Sequence, residues 1–207
     1  MHIGIFDTGA GGRLVGEQLR RLLPHHNYTV VNDLAHAPYG DRPENEIIAL
    51  TNAAIQPLLG CDKIVLACNT ATAAAIDTLR QRYPHLPFIG FEPMIKPAAR
   101  LTRTGRVTLL ATAATKRSRR LKKLIDEHGA GLIIDMPDTT DWAKRIDQGH
   151  PETISLKEVA ASVAQGSDVI ILGCTHYLAL KDRLEQEFPY CTIIEPSAAI
   201  ARVIEES

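Results

Sequence analysis

Cys68 and Cys174 stand in matched surroundings, 106 positions apart. Each ends a nearly continuous apolar run, Lys63-Ile64-Val65-Leu66-Ala67 in one case and Val169-Ile170-Ile171-Leu172-Gly173 in the other. Small polar residues come directly after, Asn69-Thr70 and Thr175-His176. A thiol so placed falls where a buried strand gives way to a helix, and the unpaired N–H groups of a helix start favour thiolate. The adjacent hydroxyls and amides supply donors for a carboxylate or an oxyanion. Two equivalent thiols suit one chemistry in particular, the racemisation of a tetrahedral carbon. One group removes a proton from one face, the other delivers a proton to the opposite face, and the two exchange roles with direction. A disulfide or a nucleophilic hydrolase needs no such symmetry, and His176, two residues after Cys174, is poorly placed by sequence to serve Cys68. Cys61 and Cys191 lack the duplicated context and read as buried, space-filling thiols.

The elements that must position these residues alternate between β-branched apolar runs and longer helical stretches, the pattern of an α/β fold with mainly parallel sheets. Strands are expected at Ile3–Phe6, Tyr28–Asn32, Lys63–Ala67, Phe88–Phe91, Val107–Ala111, Gly131–Asp135, Asp168–Gly173 and Thr192–Glu195. Helices are expected near 12–23, 43–59, 71–83, 94–101, 115–128, 152–165, 177–187 and 197–205. The halves repeat. Ile3–Gly9 matches Val107–Ala113, the two cysteine segments match, and Phe91-Glu92-Pro93 matches Ile194-Glu195-Pro196. Three segments at nearly one offset imply a duplicated unit. The expectation is therefore two similar lobes related by a pseudo-two-fold. The first spans 1–97, with 190–207 packing back on it, the second spans 98–189, and a linker falls near Met94–Thr104. Ligands of open parallel sheets bind beyond the carboxyl ends of the strands. Asp7-Thr8, Cys68-Asn69-Thr70, Thr112 and Cys174-Thr175-His176 all fall at such ends, so the active site is expected in a cleft between the lobes.

Composition narrows the partners. A formal net charge of −1 gives no general affinity for nucleic acid or an anionic membrane. The basic run Lys116–Lys123 reads as a solvated helix face. No stretch approaches the ~18–20 apolar residues of a membrane span, and the first residues do not read as a signal peptide. Four scattered cysteines suit free thiols in a reducing cytoplasm. Zinc is disfavoured because close Cys or His pairs at ligand spacing are not evident, and no metal is expected. Asp7-Thr8-Gly9-Ala10-Gly11-Gly12 lacks the Gly-Lys-Ser/Thr ending of a phosphate loop. With no pyridoxal phosphate lysine evident either, no cofactor is expected.

The blocks Asp7-Thr8-Gly9-Ala10-Gly11-Gly12, Ala37-Pro38-Tyr39-Gly40, Ala67-Cys68-Asn69-Thr70-Ala71 and Leu172-Gly173-Cys174-Thr175-His176-Tyr177 resemble those of glutamate racemases in the aspartate/glutamate racemase superfamily. They fall in the family's order through nearly the whole chain. The resemblance implies an isomerase that converts L-glutamate to D-glutamate for peptidoglycan and the cell wall, with Cys68 and Cys174 as its two catalytic bases. It also implies that Asp7 orients near the substrate amine and the first thiol, and that His176 assists the second. Thr8, Pro38, Tyr39, Gly40, Asn69, Thr70, Thr112, Thr175 and His176 are implied to bind substrate. The chain is shorter than typical members, with the shortfall expected between about Thr112 and Asp168. The family's Glu-x-Gly has its counterpart in Asp147-Gln148-Gly149, which makes Asp147 a candidate assistant to Cys174. Blander roles stay open: Asp7 as a turn cap, His176 as a core histidine, Asp147 as a surface residue. So do a racemase or isomerase of aspartate or another small acid, and a non-catalytic amino-acid-binding protein. The expected partner is a small amino acid in the cytoplasm; a homodimer stays open.

Overall fold

In the computed structural model, which describes residues 1–9, 11–40 and 42–206, the apolar runs form two parallel sheets of the same topology. Among the described residues the first holds β1 (His2–Asp7), β2 (Asn27–Asn32), β3 (Lys63–Leu66) and β4 (Phe88–Gly90) in the order β2-β1-β3-β4. The second holds β5 (Arg106–Leu110), β6 (Ile133–Asp135), β7 (Val169–Leu172) and β8 (Thr192–Ile194) in the order β6-β5-β7-β8. All pairings are parallel. Every residue of β3 and β7 is buried, as strands covered on both faces require, and this is why they read as unbroken apolar runs. The duplication extends to register: Ile3 pairs with Lys63 as Val107 pairs with Val169, and Phe6 with Leu66 as Leu110 with Leu172.

In the first unit the helices are α1 (Gly11–Leu22), α2 (Glu44–Ala54), α3 (Asn69–Arg82) and the last, α10 (Ser197–Glu206). Phe6, Ile47, Leu58, Leu66, Ala75, Ile76 and Leu79 form one core cluster there, and α10 packs on α1. In the second unit the helices are α4 (Ile95–Leu101), α5 (Ala113–Arg117), α6 (Arg119–His128), α7 (Trp142–Asp147), α8 (Lys157–Ala164) and α9 (Lys181–Glu187). Trp142, Val159, Tyr177 and Leu184 form one core cluster; Ile95, Ala98, Leu109 and Leu121 form another.

Three expectations change. The compact units are Met1–Glu92 with the segment from Pro196, and Pro93–Glu195. The chain thus passes from one unit to the other at the two repeated Glu-Pro steps rather than at 97/98 and 189/190. Residues 95–101 are not a linker, since α4 packs on α6 and β7. The helix expected over 115–128 breaks at Ser118. This residue adopts an extended backbone, and its hydroxyl accepts from Leu121 N–H to cap α6. Around the break, Lys116 Nζ donates to the Pro137 carbonyl, while Lys122 and Lys123 pair with Asp126 and Glu127 along the exposed helix. No helix of the described residues is long and apolar enough to cross a membrane. Ala10, within the Gly-rich block, lies outside the described residues.

Candidate active site

The register of β1 against β3 brings Thr8 beside Cys68. Ala67 N–H donates to the Phe6 carbonyl at 2.8 Å, and one residue further Thr8 Oγ1 donates to Cys68 Sγ at 3.4 Å. Cys68 takes an extended backbone and is the N-cap of the fourteen-residue α3, so its sulfur also accepts from Ala71 N–H at 3.4 Å. Two donors and a helix start thus converge on one buried sulfur. Asp7, fully buried, holds the turn beyond β1 by accepting from Gly9 N–H at 2.7 Å. Gly12 allows this turn to close, because a Cβ there would lie 2.3 Å from Asn32 Oδ1 and 2.6 Å from Asp7 Cβ.

Asn69 comes next after Cys68 and is 4% exposed, yet among the described residues neither its Oδ1 nor its Nδ2 has a hydrogen-bond partner. A buried polar group without a partner costs ~1–3 kcal/mol, and such a group in a native fold calls for an explanation. Thr70 beside it is buried. Tyr39 is buried too, and its hydroxyl donates to Asp33 Oδ2 at 2.6 Å. Burial, then the Asp33 carboxylate, then Cys68 hold the Tyr39 hydroxyl well above the usual phenol range. Asp33 also bonds His36 Nδ1 at 2.7 Å, and Arg42 Nε donates to the His36 carbonyl. These bonds tie down the turn that carries Gly40 and the exposed Pro38. Asp33 was not singled out from sequence; an acidic residue just after a strand carries no distinctive signal.

The second unit repeats the backbone and changes the chemistry. Gly173 N–H donates to the Leu110 carbonyl at 2.7 Å, the counterpart of the Ala67 bond. After Cys174, however, the chain winds as a 3₁₀ helix over Thr175–Leu180 before α9 begins, and Cys174 makes no side-chain cap bond. The expected α-helical start at 177 is thus absent, and the polar neighbour of the Cys174 sulfur is a side chain instead. His176 Nδ1 lies 3.7 Å from Cys174 Sγ, and His176 Nε2 lies 3.1 and 3.2 Å from the two oxygens of Asp147. His176 is buried, while the Asp147 side chain is 33% exposed. Cys174, His176 and Asp147 therefore form a chain in which a histidine links a thiol to a carboxylate.

Asp147 reaches His176 from the last position of α7, a helix not expected from the sequence. The segment has six residues, too few to show a period, and starts after Asp141 in a left-handed conformation (φ 62°). Gly149, at φ 81°, completes its stop. Thr112 caps α5, accepting from Thr115 N–H at 3.2 Å, and Thr175 is buried. Tyr177 is buried edge-on to Trp142, with ring centroids 5.5 Å apart, and burial, then the Cys174 charge, keep its hydroxyl protonated far into the alkaline range. Cys61 and Cys191 have thiols pushed up by burial; Cys191 donates to the Ser167 carbonyl.

One grouping contradicts the expectation that close His pairs are missing. The neighbours His25-His26 converge with Glu205 of α10, their ligand atoms all within 4.8 Å of one another. The third member is 179 positions away from the second, so spacing alone could not disclose it.

Comparison with known proteins agrees with this architecture. The family model described as Asp/Glu/Hydantoin racemase matches residues 13–204. A glutamate racemase of Pseudomonas aeruginosa is 40% identical over 98% of this chain and 80% of its own length. Another from a Roseiflexus species is 38% identical over 99% and 79% respectively. Among solved structures, the glutamate racemase of Escherichia coli in complex with L-glutamate and the activator UDP-MurNAc-ala superposes with a TM-score of 0.85 at 32% identity, over 99% of this chain and 80% of that one. The allantoin racemase of Klebsiella pneumoniae, at 20% identity and a TM-score of 0.58, shares the fold.

Proposed function

The chain belongs to the Asp/Glu/hydantoin racemase family, and on that premise we propose that it interconverts L- and D-glutamate, with Cys68 and Cys174 as the two proton-transfer groups. The observation that carries the proposal is the matched pair of strand-end thiols, each with its own polar partners. One thiolate takes the α-proton of one enantiomer, and the other thiol returns a proton to the opposite face; the reverse reaction exchanges the roles. Thr8 and the α3 start favour the thiolate of Cys68. His176, oriented by Asp147, exchanges a proton with Cys174. Asn69 supports a substrate contact, because its amide N–H can donate to the α-carboxylate and its oxygen can accept from the α-ammonium. That would offset the cost of its buried, unpartnered atoms. Tyr39-Gly40, Thr70 and Thr175-His176 complete the substrate-binding set, and Asp7 orients the turn beside the first thiol. The D-glutamate so formed would serve peptidoglycan synthesis in the cytoplasm.

The test is racemisation monitored by circular dichroism from each enantiomer in deuterated water. Wild type is expected to incorporate deuterium at the α-carbon of the product, and Cys68→Ser and Cys174→Ser are each expected to abolish turnover. Full racemisation by either variant refutes the two-thiol mechanism. Turnover of aspartate but not glutamate refutes the substrate, and ligand-induced stabilisation without α-proton exchange points to a binding protein.

A further inference from the structure

His25 and His26 sit in the turn between α1 and β2, ahead of a strand that runs parallel to β1 and β3. They are therefore at the opposite end of the first sheet from Cys68, which lies beyond the end of β3. Their two Nε2 atoms approach one oxygen of Glu205, at 3.3 Å for His25 and 2.9 Å for His26. The rings meet edge to face, with centroids 4.4 Å apart, and the His26 side chain is 7% exposed, so its orientation is fixed by packing. Tetrahedral zinc with bonds of about 2.0–2.1 Å to nitrogen sets its ligand atoms roughly 3.3 Å apart. The separations to Glu205 lie close to that value.

We propose that His25, His26 and Glu205 form a binding site for a borderline divalent cation of the zinc class. Two imidazoles and one carboxylate match such ions, whereas magnesium and calcium require mostly oxygen ligands. Three protein ligands leave a fourth position for water. The site joins residues 180 positions apart and fastens α10, whose segment returns to the first unit after the chain has built the second. Two other bonds already hold that helix: Lys63 Nζ donates to the Ile204 carbonyl at 2.8 Å, and Ser197 Oγ donates to Gln18 at 2.5 Å. An ion bound there acts as a removable clip that stabilises the folded chain by mass action.

The experiment uses the whole chain, stripped with a chelator and titrated with zinc by calorimetry and with cobalt(II) by visible absorption. One equivalent is expected to bind. Cobalt is expected to give the d–d bands of nitrogen and oxygen ligation without a thiolate charge-transfer band. Loss of a direct ligand in Glu205→Gln or His25→Ala should weaken affinity by at least the ~10-fold seen on removing an outer-shell partner. Zinc should raise the melting temperature of wild type and leave that of Glu205→Gln unchanged. The replaced side chains are 62% (His25) and 45% (Glu205) exposed, so the variants are expected to keep the wild-type far-ultraviolet spectrum. Three results overturn the proposal: no saturable binding to wild type, unchanged affinity in both variants, or a thiolate band that disappears when the cysteines are alkylated.

Discussion

Replacing Asp147 by Asn nearly preserves its shape and removes its charge, which isolates what the carboxylate does for His176. The two oxygens lie 3.1 and 3.2 Å from His176 Nε2, and the ring's other nitrogen lies 3.7 Å from Cys174 Sγ. A hydrogen bond to a charged group contributes ~1.5–3 kcal/mol and a neutral one ~0.5–1.5 kcal/mol, a difference of ~1–1.5 kcal/mol. One third of the Asp147 side chain is exposed, so solvent screening favours the lower end. At ~1.4 kcal/mol per factor of ten, kcat/KM should fall about 5–10-fold. Enantiomers have equal free energies in water, so the equilibrium constant is unity and kcat/KM must fall by the same factor in both directions; only kcat and KM taken separately can diverge. The assay is circular dichroism from pure L- and pure D-glutamate, with Asp147→Glu as the variant that restores the charge and part of the rate. The assigned role is refuted if Asp147→Asn keeps kcat/KM within about twofold of wild type while its far-ultraviolet spectrum is unchanged. A lowered melting temperature with unchanged kcat/KM refutes it equally, since it would make the residue a structural tie only.

Gly12→Ala should destabilise the first unit by ~1–3 kcal/mol through overpacking, because its Cβ meets Asn32 and Asp7 below 3.0 Å; Gly60→Ala, with nothing within 4 Å of the added atom, is the control. Thermal melting checks this, and equal melting of Gly12→Ala and wild type contradicts it. In the second unit, the Arg106 guanidinium at 2.7 and 2.9 Å holds the Asp135 carboxyl below the usual carboxylate range. A depressed native pKa means the unfolded chain binds more protons in acid. The contribution is therefore present above the ordinary pKa of ~4 and is lost as pH falls through the lowered value. Urea unfolding should show Asp135→Asn less stable than wild type at neutral pH, with the gap closing in acid; a gap that does not change with pH counts against the assignment.

The strands and the duplication were legible because both rest on long-range burial written locally. β3 and β7 are buried along their whole length, so they read as nearly continuous apolar runs, and Cys68 and Cys174 mark where those runs end. The Glu-Pro steps were legible as repeats, but their role as the points where the chain changes unit was not, since α4 looked as much a connector as a packed helix. Short elements escaped for a physical reason. Six residues in α7 make fewer than two turns, and the break at Ser118 depends on one hydroxyl preferring a cap to a helix interior. Contacts far apart in sequence, such as His26 with Glu205, depend on where the fold carries each side chain, and so does the nearer pairing of Tyr39 with the Asp33 side chain.

The duplication reproduced the backbone around each cysteine more faithfully than its electrostatics. Register and strand-end hydrogen bond match in both units, so the two sulfurs leave equivalent strands at equivalent points. The residues just after each sulfur then decide its support. Asn69-Thr70 opens directly into a fourteen-residue α-helix, and Cys68 Sγ takes a helix-start N–H with the Thr8 hydroxyl as second donor. Thr175-His176 opens into a 3₁₀ turn, where the helix-start donor is not used and the ring of His176 comes back to the sulfur with Asp147 behind it. Backbone and hydroxyl donors hold one sulfur, whereas an imidazole backed by a carboxylate faces the other. Two-base racemisation requires that both thiols work, not that they work alike, and an equilibrium constant of unity binds only the ratio of the two directions. The asymmetry is therefore compatible with the proposed reaction.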